Sequence, residues 1–144
     1  MFERWWTITQ EVNMKKLIPI FLLFFSVNGY CGWFKVTESD SMSIFIEDSK
    51  ITKKDKFIRI WSLYSLNVPQ KLPNGEFYHS YVLLKEIDCI EDKSRDLSTT
   101  LYQDVMGKGK VIYTYDEISN WSFSRPGTIG DSLVQFSCGF KNLK

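Results

Sequence analysis

The chain has little of what metal and catalytic sites are usually built from. Its 144 residues include one histidine, His79, and three cysteines, Cys31, Cys89 and Cys138. A single histidine argues against a histidine-based metal or catalytic cluster. Neither Cys89 nor Cys138 has a second cysteine or a histidine at the spacing that zinc ligands show. We therefore predict no metal site, no cofactor and no catalytic residue.

Neither sign of charge is in excess, with 18 Lys and Arg against 17 Asp and Glu, so no overall basic surface is available for nucleic acid. No glycine-flanked serine elbow is present. His79 and Ser80 are neighbours, and neighbouring strand residues point to opposite faces. Glu86 and Asp88 share a strand face, a pattern typical of a solvated or salt-bridged edge. The sequence thus favours a non-enzymatic protein.

No repeat, low-complexity tract or linker divides the chain, which at this length predicts one domain. Hydrophobic residues make up 44% and aromatic residues 16%, which favours a β-rich core. The central strand is predicted at 78–89, because apolar residues occupy both of its faces. Lys85 interrupts this pattern and must reach a sheet margin or find a partner.

Five further segments have the alternating or two-sided apolar pattern of strands: 33–36, 42–47, 57–66, 95–103 and 110–115. Short strands joined by turns predict an antiparallel meander of about six strands. Between 57–66 and 78–89, Pro69 and Pro73-Asn74-Gly75 are expected to exclude regular structure. Met106-Gly107-Lys108-Gly109 predicts a glycine hairpin before the last strand.

A single C-terminal helix is predicted to follow the sheet. Thr128-Ile129-Gly130-Asp131 has the spacing of a capping box with Asp in place of Glu. An apolar stripe at helical spacing then continues for roughly three turns along Ile129, Leu133, Phe136 and Phe140. Cys138 falls opposite Ile129 on this helix, so we expect the helix to end before Cys138. The predicted fold is α+β, a meander sheet packed on this helix.

Cys89 ends the central strand and Cys138 follows the helix. In an oxidising compartment the two are expected to form a disulfide. The chain-entropy model gives such a loop a stabilisation of about 4 kcal/mol. Two unpaired buried thiols are the alternative if the protein remains cytosolic.

The N-terminal residues 1–29 are predicted to be an extension followed by a secretory signal peptide. Met14 is the better start, because Lys15 and Lys16 precede the short apolar run 17–25. Val27 and Gly29 suit cleavage before residue 30, which leaves a domain at 30–144. Removing 1–29 takes away three basic and two acidic side chains, so the mature chain is neutral. An uncleaved membrane anchor is the alternative.

Cys31 raises the possibility of lipid attachment, because a lipoprotein signal ends at a cysteine. The residue before a lipidated cysteine is normally small, however, and Tyr30 is bulky. We expect Cys31 to be an unpaired thiol near the new terminus, or to be lost if cleavage follows it. Contact with a membrane is expected only through export or such anchoring.

Four lysines, Lys50, Lys53, Lys54 and Lys56, cluster around one predicted turn. One interpretation is a basic patch that binds an acidic partner or a polyanion. The other is that lysines protect an exposed hairpin and edge from aggregation. The aromatic residues, including Trp61, Trp121 and Phe123, are expected in the core.

An ordered set of short motifs resembles the surface-adhesin protein E family of Gram-negative envelope proteins. The motifs are Ile44–Asp48, Ile60–Tyr64, Glu86–Cys89, Arg95–Ser98, Met106–Lys110, Trp121 and Pro126–Asp131 leading to Cys138. The resemblance implies an exported protein with a small antiparallel sheet on a C-terminal helix. It also implies binding of host matrix and serum proteins such as vitronectin and laminin.

Lys85, and Tyr30 before Cys31, depart from the family pattern. The alternative function is a periplasmic housekeeping or inhibitory module without a host ligand. A homo-oligomer is possible in either case.

Overall fold

The computed structural model describes residues 32–140, so the predicted extension, signal peptide and Cys31 lie outside the described residues. Within these residues, eight strands precede one α-helix. They are β1 Trp33–Glu38, β2 Met42–Glu47, β3 Thr52–Lys54, β4 Phe57–Lys71, β5 Phe77–Asp88, β6 Lys93–Tyr102, β7 Val111–Tyr115, β8 Ser122–Phe123 and α1 Ile129–Phe140.

All strand pairs are antiparallel, and the main path through the sheet is β1-β2-β4-β5-β6-β7. The six predicted strands are the six of this path, so the α+β meander is confirmed. Two short strands extend it. β3 pairs with the first residues of β4, and β8 pairs with the first residues of β6. The sheet therefore has one central strand pair, β4–β5, with shorter strands on both sides.

The expectation that Pro69 excludes regular structure is wrong. β4 continues through Pro69 to Lys71, and its last residues pair with the start of β5. The register shifts between Ser65 and Gln70, and Pro69 lies within this irregular stretch. Proline lacks the N–H that a regular ladder needs, and a bulge is one of the few places where a strand accepts it.

One face of the sheet packs against α1. Its apolar residues come from alternate positions of three strands and from the helix, and they form one buried cluster: Ile44, Ile46, Ile58, Ile60, Tyr64, Leu83, Ile87, Leu133 and Val134. At the margin, Phe34 of β1 stacks on Phe136 of α1 with ring centroids 5.4 Å apart. The Cys89–Cys138 disulfide joins the end of β5 to the helix, with Cα atoms 5.8 Å apart.

The predicted capping residues begin the helix. The Asp131 N–H donates to Thr128 Oγ1 at 3.2 Å, and the Asp131 carboxylate accepts from the Gly127 N–H at 3.0 Å. The predicted end is wrong, because α1 continues through Cys138 to Phe140. At about 100° per residue, fully buried Ser137 lies about midway between Ile129 and Cys138. Ile129 and Cys138 therefore lie on the two flanks of one broad buried face, and both flanks reach the sheet. Cys138 forms its disulfide with Cys89 without a break in the helix.

Lys85 finds a partner on the neighbouring strand. A register shift in the β5–β6 pair skips Leu97 and places Lys85 beside Asp96, with which its ammonium forms a salt bridge. Lys85 therefore occupies an inward-facing position of β5, where the salt bridge to Asp96 balances its charge.

In the part of the chain that the structure describes, α1 is too short to cross a membrane, so no membrane-spanning helix is found there.

Candidate functional site

The face of the sheet opposite α1, the helix-free face, carries a network of paired charges on the central strands. Glu86 of β5 is directly paired with Arg59 of β4 and with Arg95 of β6. The Arg59 guanidinium lies 2.9 Å from one Glu86 carboxylate oxygen, and the Arg95 guanidinium 2.5 Å from the other. Glu86 is only 1% exposed, so two guanidinium groups hold one buried carboxylate.

Glu86 remains ionised in this position. Burial alone would raise the pKa of its carboxyl group, but the hydrogen bonds and positive charges of Arg95 and Arg59 outweigh burial and lower the pKa. A permanently charged carboxylate with both oxygens occupied is unsuited to general acid or base catalysis. Glu86 therefore acts as a structural anchor for the two arginines.

Asp88 is held in a similar way two residues further along β5. Its Oδ1 accepts the N–H groups of Ile90 and Glu91 at 3.0 and 3.3 Å, which fixes the turn after the strand. Its Oδ2 accepts no hydrogen bond within residues 32–140, and the Lys56 ammonium 3.1 Å away forms an ion pair with it. Burial opposes ionisation, but Lys56 and the two N–H groups lower the pKa of Asp88. The sequence predicted a salt-bridged acidic pair correctly, but the pair lies in a buried central strand and not at an edge.

Trp121 covers part of this network. The Arg95 guanidinium lies 4.5 Å and the Lys93 ammonium 5.4 Å from its ring centroid. Its ring also packs on Phe57, with centroids 5.2 Å apart. Phe123, two residues later, is 71% exposed, so the expectation that it lies in the core is wrong. β8 turns the side chain of Phe123 outward while Trp121 turns in over the arginine.

The connection between β6 and β7 forms the predicted glycine hairpin, and its tip folds back over the sheet. Ser80 Oγ donates to the Asp104 carbonyl at 2.5 Å and accepts the Gly107 N–H at 2.9 Å. Gly107 and Gly109 both have positive φ, and a Cβ at Gly109 would lie 2.3 Å from the Asp104 carboxylate. The two glycines therefore allow this loop to lie flat on the strands. Ser80 serves the loop, and nothing about it suggests a nucleophile.

The four lysines are separated by the structure. Lys50 ends a 3₁₀ turn, Asp48–Lys50, and Lys53 and Lys54 lie on β3, with all three exposed. Lys56 differs, because its ammonium pairs with buried Asp88 and lies 5.1 Å from the Phe57 ring centroid. The cluster therefore divides into one structural lysine and three that face solvent.

A groove of about 260 Å³ opens on the helix-free face beside Lys50. Trp33 of β1 is paired with Glu47 of β2, and the next step of the β2–β4 register brings Glu47 beside Trp61. Two indoles thus flank one carboxylate across three strands. The remaining groove residues are Lys50, Val82, Tyr102 and Gly107. We call this feature the aromatic groove.

Sequence reasoning missed the aromatic groove. Trp61 was expected in the core, yet it is only partly buried and lines this opening. Trp33 and Glu47 occupy strands that the sequence predicts, but only the register of the β1–β2 pair shows that they are neighbours. The available signal was parity, since Trp61 directly follows core residue Ile60 on β4 and therefore points to the opposite face of the sheet.

Among residues 32–140, no group of His, Cys, Asp and Glu side chains could hold a metal ion. The aromatic groove and the exposed lysines are thus the candidate binding features of this region. The model of the family described as "Surface-adhesin protein E" matches residues 33–139, which includes every strand and nearly all of α1. The chain belongs to this family of surface adhesins.

Solved structures of Haemophilus influenzae protein E have the same fold. One has a TM-score of 0.61 at 13% identity, with 78% of this chain and 88% of that chain covered. A second crystal form has a TM-score of 0.59 at 12% identity, with 74% and 94% covered. Protein E from non-typeable Haemophilus influenzae has a TM-score of 0.58 at 12% identity, with 75% and 78% covered.

At this level of identity the likeness to these structures concerns the fold alone. Among curated protein sequences, none matches the chain. Membership of the surface-adhesin protein E family therefore rests on the matched residues 33–139, and the binding residues must be argued from this chain's own surface.

Proposed function

We propose that this protein is exported to the cell surface, has no enzymatic activity and binds a host protein as an adhesin. The family match over residues 33–139 is the observation that carries the proposal. Matrix and serum proteins such as vitronectin and laminin are the partners that we propose to test.

The exposed lysines beside β3 are the proposed contact. Lys50, Lys53 and Lys54 are exposed in β3 and the turn before it, in a chain whose predicted mature form is neutral. A local cluster of one sign attracts an acidic surface of a partner and raises the rate of encounter. Lys56 extends the positive surface, but its ammonium is engaged by Asp88. Aggregation protection remains the competing role for lysines at an edge.

The binding test compares the unmodified protein with the double substitution Lys53→Gln and Lys54→Gln. Immobilised vitronectin and laminin are the ligands, and binding is measured at low and physiological salt. The substitutions should weaken binding and flatten its salt dependence, because the screening length falls to about 8 Å at physiological ionic strength.

The matched control is Lys35→Gln with Lys108→Gln, which removes the same charge from exposed positions on β1 and in the β6–β7 loop. Equal weakening by the control pair would show that net charge, and not this edge, controls binding. If the unmodified protein binds neither ligand, the host-adhesin function is wrong for these partners.

Export has its own test. N-terminal sequencing of the envelope fraction should give a chain beginning near residue 30, and whole-cell protease treatment should cleave a surface-displayed protein. Resistance in whole cells with cleavage after the outer membrane is opened would favour the periplasmic housekeeping or inhibitory module. A mature chain beginning at Met1 would contradict export by a cleaved signal.

A further inference from the structure

The aromatic groove holds a carboxylate that pairs with no cation among residues 32–140. Glu47 is 7% exposed, and its Oε1 accepts a hydrogen bond of 2.6 Å from Ser49 Oγ. No Lys, Arg or His of the described residues lies within salt-bridge distance of this carboxylate. Buried charges are normally paired, which distinguishes Glu47 from Glu86 and Asp88 on the same face.

The two neighbours of Glu47 are suited to a cation. Adjacent strands are about 4.8 Å apart, so the backbones of Trp33 and Trp61 lie about 10 Å apart with Glu47 between them. A cation above Glu47 could lie within about 6 Å of both indole rings, the range of cation–π attraction. Tyr102 of β6 also lines the groove. Aromatic walls around a negative floor are the usual recognition element for alkylated ammonium groups.

Lys50 places a positive charge at the same groove. Among the described residues its ammonium lies over no aromatic ring, and it forms no salt bridge with Glu47. A ligand that carried only positive charge would be repelled by Lys50. A ligand with an anionic group beside its cation would satisfy Glu47 and Lys50 together.

The size of the groove limits the ligand further. Pockets for drug-sized molecules begin at about 300 Å³, and this groove encloses about 260 Å³. It is open on one side, so the group that it holds can belong to a larger molecule.

We propose that the aromatic groove binds a phosphocholine group, with the trimethylammonium between Trp33 and Trp61 above Glu47 and the phosphate at Lys50. This site shares Lys50 with the lysines proposed above to contact a host protein, but it does not include Lys53 or Lys54 and does not depend on that protein-binding function. The chemistry is shared by soluble phosphocholine esters and by the headgroup of phosphatidylcholine.

The test is a titration of the full-length chain with phosphocholine, followed by the indole N–H signals in ¹H–¹⁵N spectra and assigned by Trp→Phe substitutions. The signals of Trp33 and Trp61 should shift together and saturate. Trp121 lies against Arg95 and Lys93 and is the internal control, so its signal should not move. No shift of the two groove signals, or an equal shift of all three, would overturn the proposal.

Two variants separate the two ends of the ligand. Glu47→Gln keeps the size of the side chain and an acceptor for Ser49. It should weaken the binding of both choline and phosphocholine by about tenfold or more. Lys50→Gln should weaken the binding of phosphocholine by a similar factor, while the affinity for choline stays unchanged or increases slightly. If Lys50→Gln leaves the preference for phosphocholine over choline intact, the proposed orientation is wrong. Thermal melts of both variants establish that they remain folded.

Vesicles distinguish the two sources of the group. Cosedimentation with phosphatidylcholine vesicles, but not with phosphatidylglycerol vesicles, assigns the site to a lipid headgroup. Binding of soluble phosphocholine without vesicle binding assigns it to a soluble ester. Failure of both arms contradicts the site altogether, and it would leave the binding of vitronectin or laminin unaffected.

Discussion

The two faces of the sheet use neighbouring residues of the same strands in opposite ways. Under α1, Ile58 and Ile87 are paired across β4 and β5 and pack in an apolar cluster. One position away, on the helix-free face, Arg59 is paired with Glu86 in a buried ion pair. The period-2 geometry of a strand thus separates an apolar core from a charged layer within one sheet.

The polar groups of the two faces also differ in charge state. Under the helix, Tyr64 and Tyr81 stack with centroids 4.6 Å apart. Burial, assisted by the nearby Tyr78 and then Asp96, raises the pKa of Tyr81 to about 12, and burial also raises the pKa of Tyr64. Both phenols therefore stay neutral, while Glu86 opposite them stays ionised. The helix face is stabilised mainly by apolar packing, although it also holds the Lys85–Asp96 salt bridge, whereas the helix-free face is stabilised by the paired charges around Glu86 and Asp88.

The disulfide under the helix gives the largest expected effect. Cys89→Ser with Cys138→Ser should lower the free energy of unfolding by roughly 2–5 kcal/mol, since the bridge ties α1 to the end of β5. Urea unfolding measures the change. Cys31→Ser is the control and should have little effect, because we predict Cys31 to be unpaired. A similar loss in the control would indicate that Cys31 takes part in the bridge.

The strands could be predicted from the sequence because each depends on a local hydrophobic pattern. The Cys89–Cys138 pairing could be predicted because an oxidising compartment was expected. The end of the helix could not, because the stripe through Ile129 and Phe136 marks one flank of the buried face. The centre of the buried face is Ser137. Because serine is polar, the apolar pattern of the sequence did not indicate how wide this face is. The predicted disulfide is confirmed, although the predicted helix ends too early.

The features that depend on strand register could not be predicted from the sequence. Lys85 was known to need a partner, but only the shift that skips Leu97 brings Asp96 beside it. Trp33 and Glu47 likewise meet because β1 pairs with β2 in one of several possible registers. The candidate groove is therefore a product of pairing, while the candidate lysines were visible as a run in the sequence.

On the helix-free face, Glu86→Gln is expected to have the next largest effect. The change removes a buried carboxylate and leaves two guanidinium groups without their partner, at a cost of about 2–3 kcal/mol; the partial exposure of Arg59 and Arg95 keeps the loss below that of a fully buried pair. Chemical denaturation measures it. Glu91→Gln, at an exposed position, should change stability by less than about 0.5 kcal/mol. Equal effects would mean that the charged layer contributes nothing beyond a surface salt bridge.

Acid should weaken the charged layer before it affects the apolar one. The pKa values of Glu86 and Asp88 are lower in the folded than in the unfolded protein, so near these values the folded state binds fewer protons. Their stabilisation is complete above the ordinary carboxyl pKa of about 4 and is lost as the pH falls through the folded values. Melting temperature should therefore decrease below about pH 4. Glu86→Gln should flatten this decrease, and an unchanged slope would contradict the assigned ionisation.

The smallest effect distinguishes two lysines that the sequence treats alike. Lys56→Gln removes the ion pair to buried Asp88 and should cost about 1 kcal/mol, less than a fully buried pair because the Lys56 side chain is 54% exposed. Lys53→Gln removes an exposed charge on β3, where no salt bridge to Lys53 occurs among the described residues, and should be neutral within about 0.5 kcal/mol. Denaturant titration of the two single variants at pH 7 measures the difference. If both are neutral, the two N–H groups of the following turn hold Asp88 without help, and Lys56 would join Lys53 as a lysine free to meet a partner.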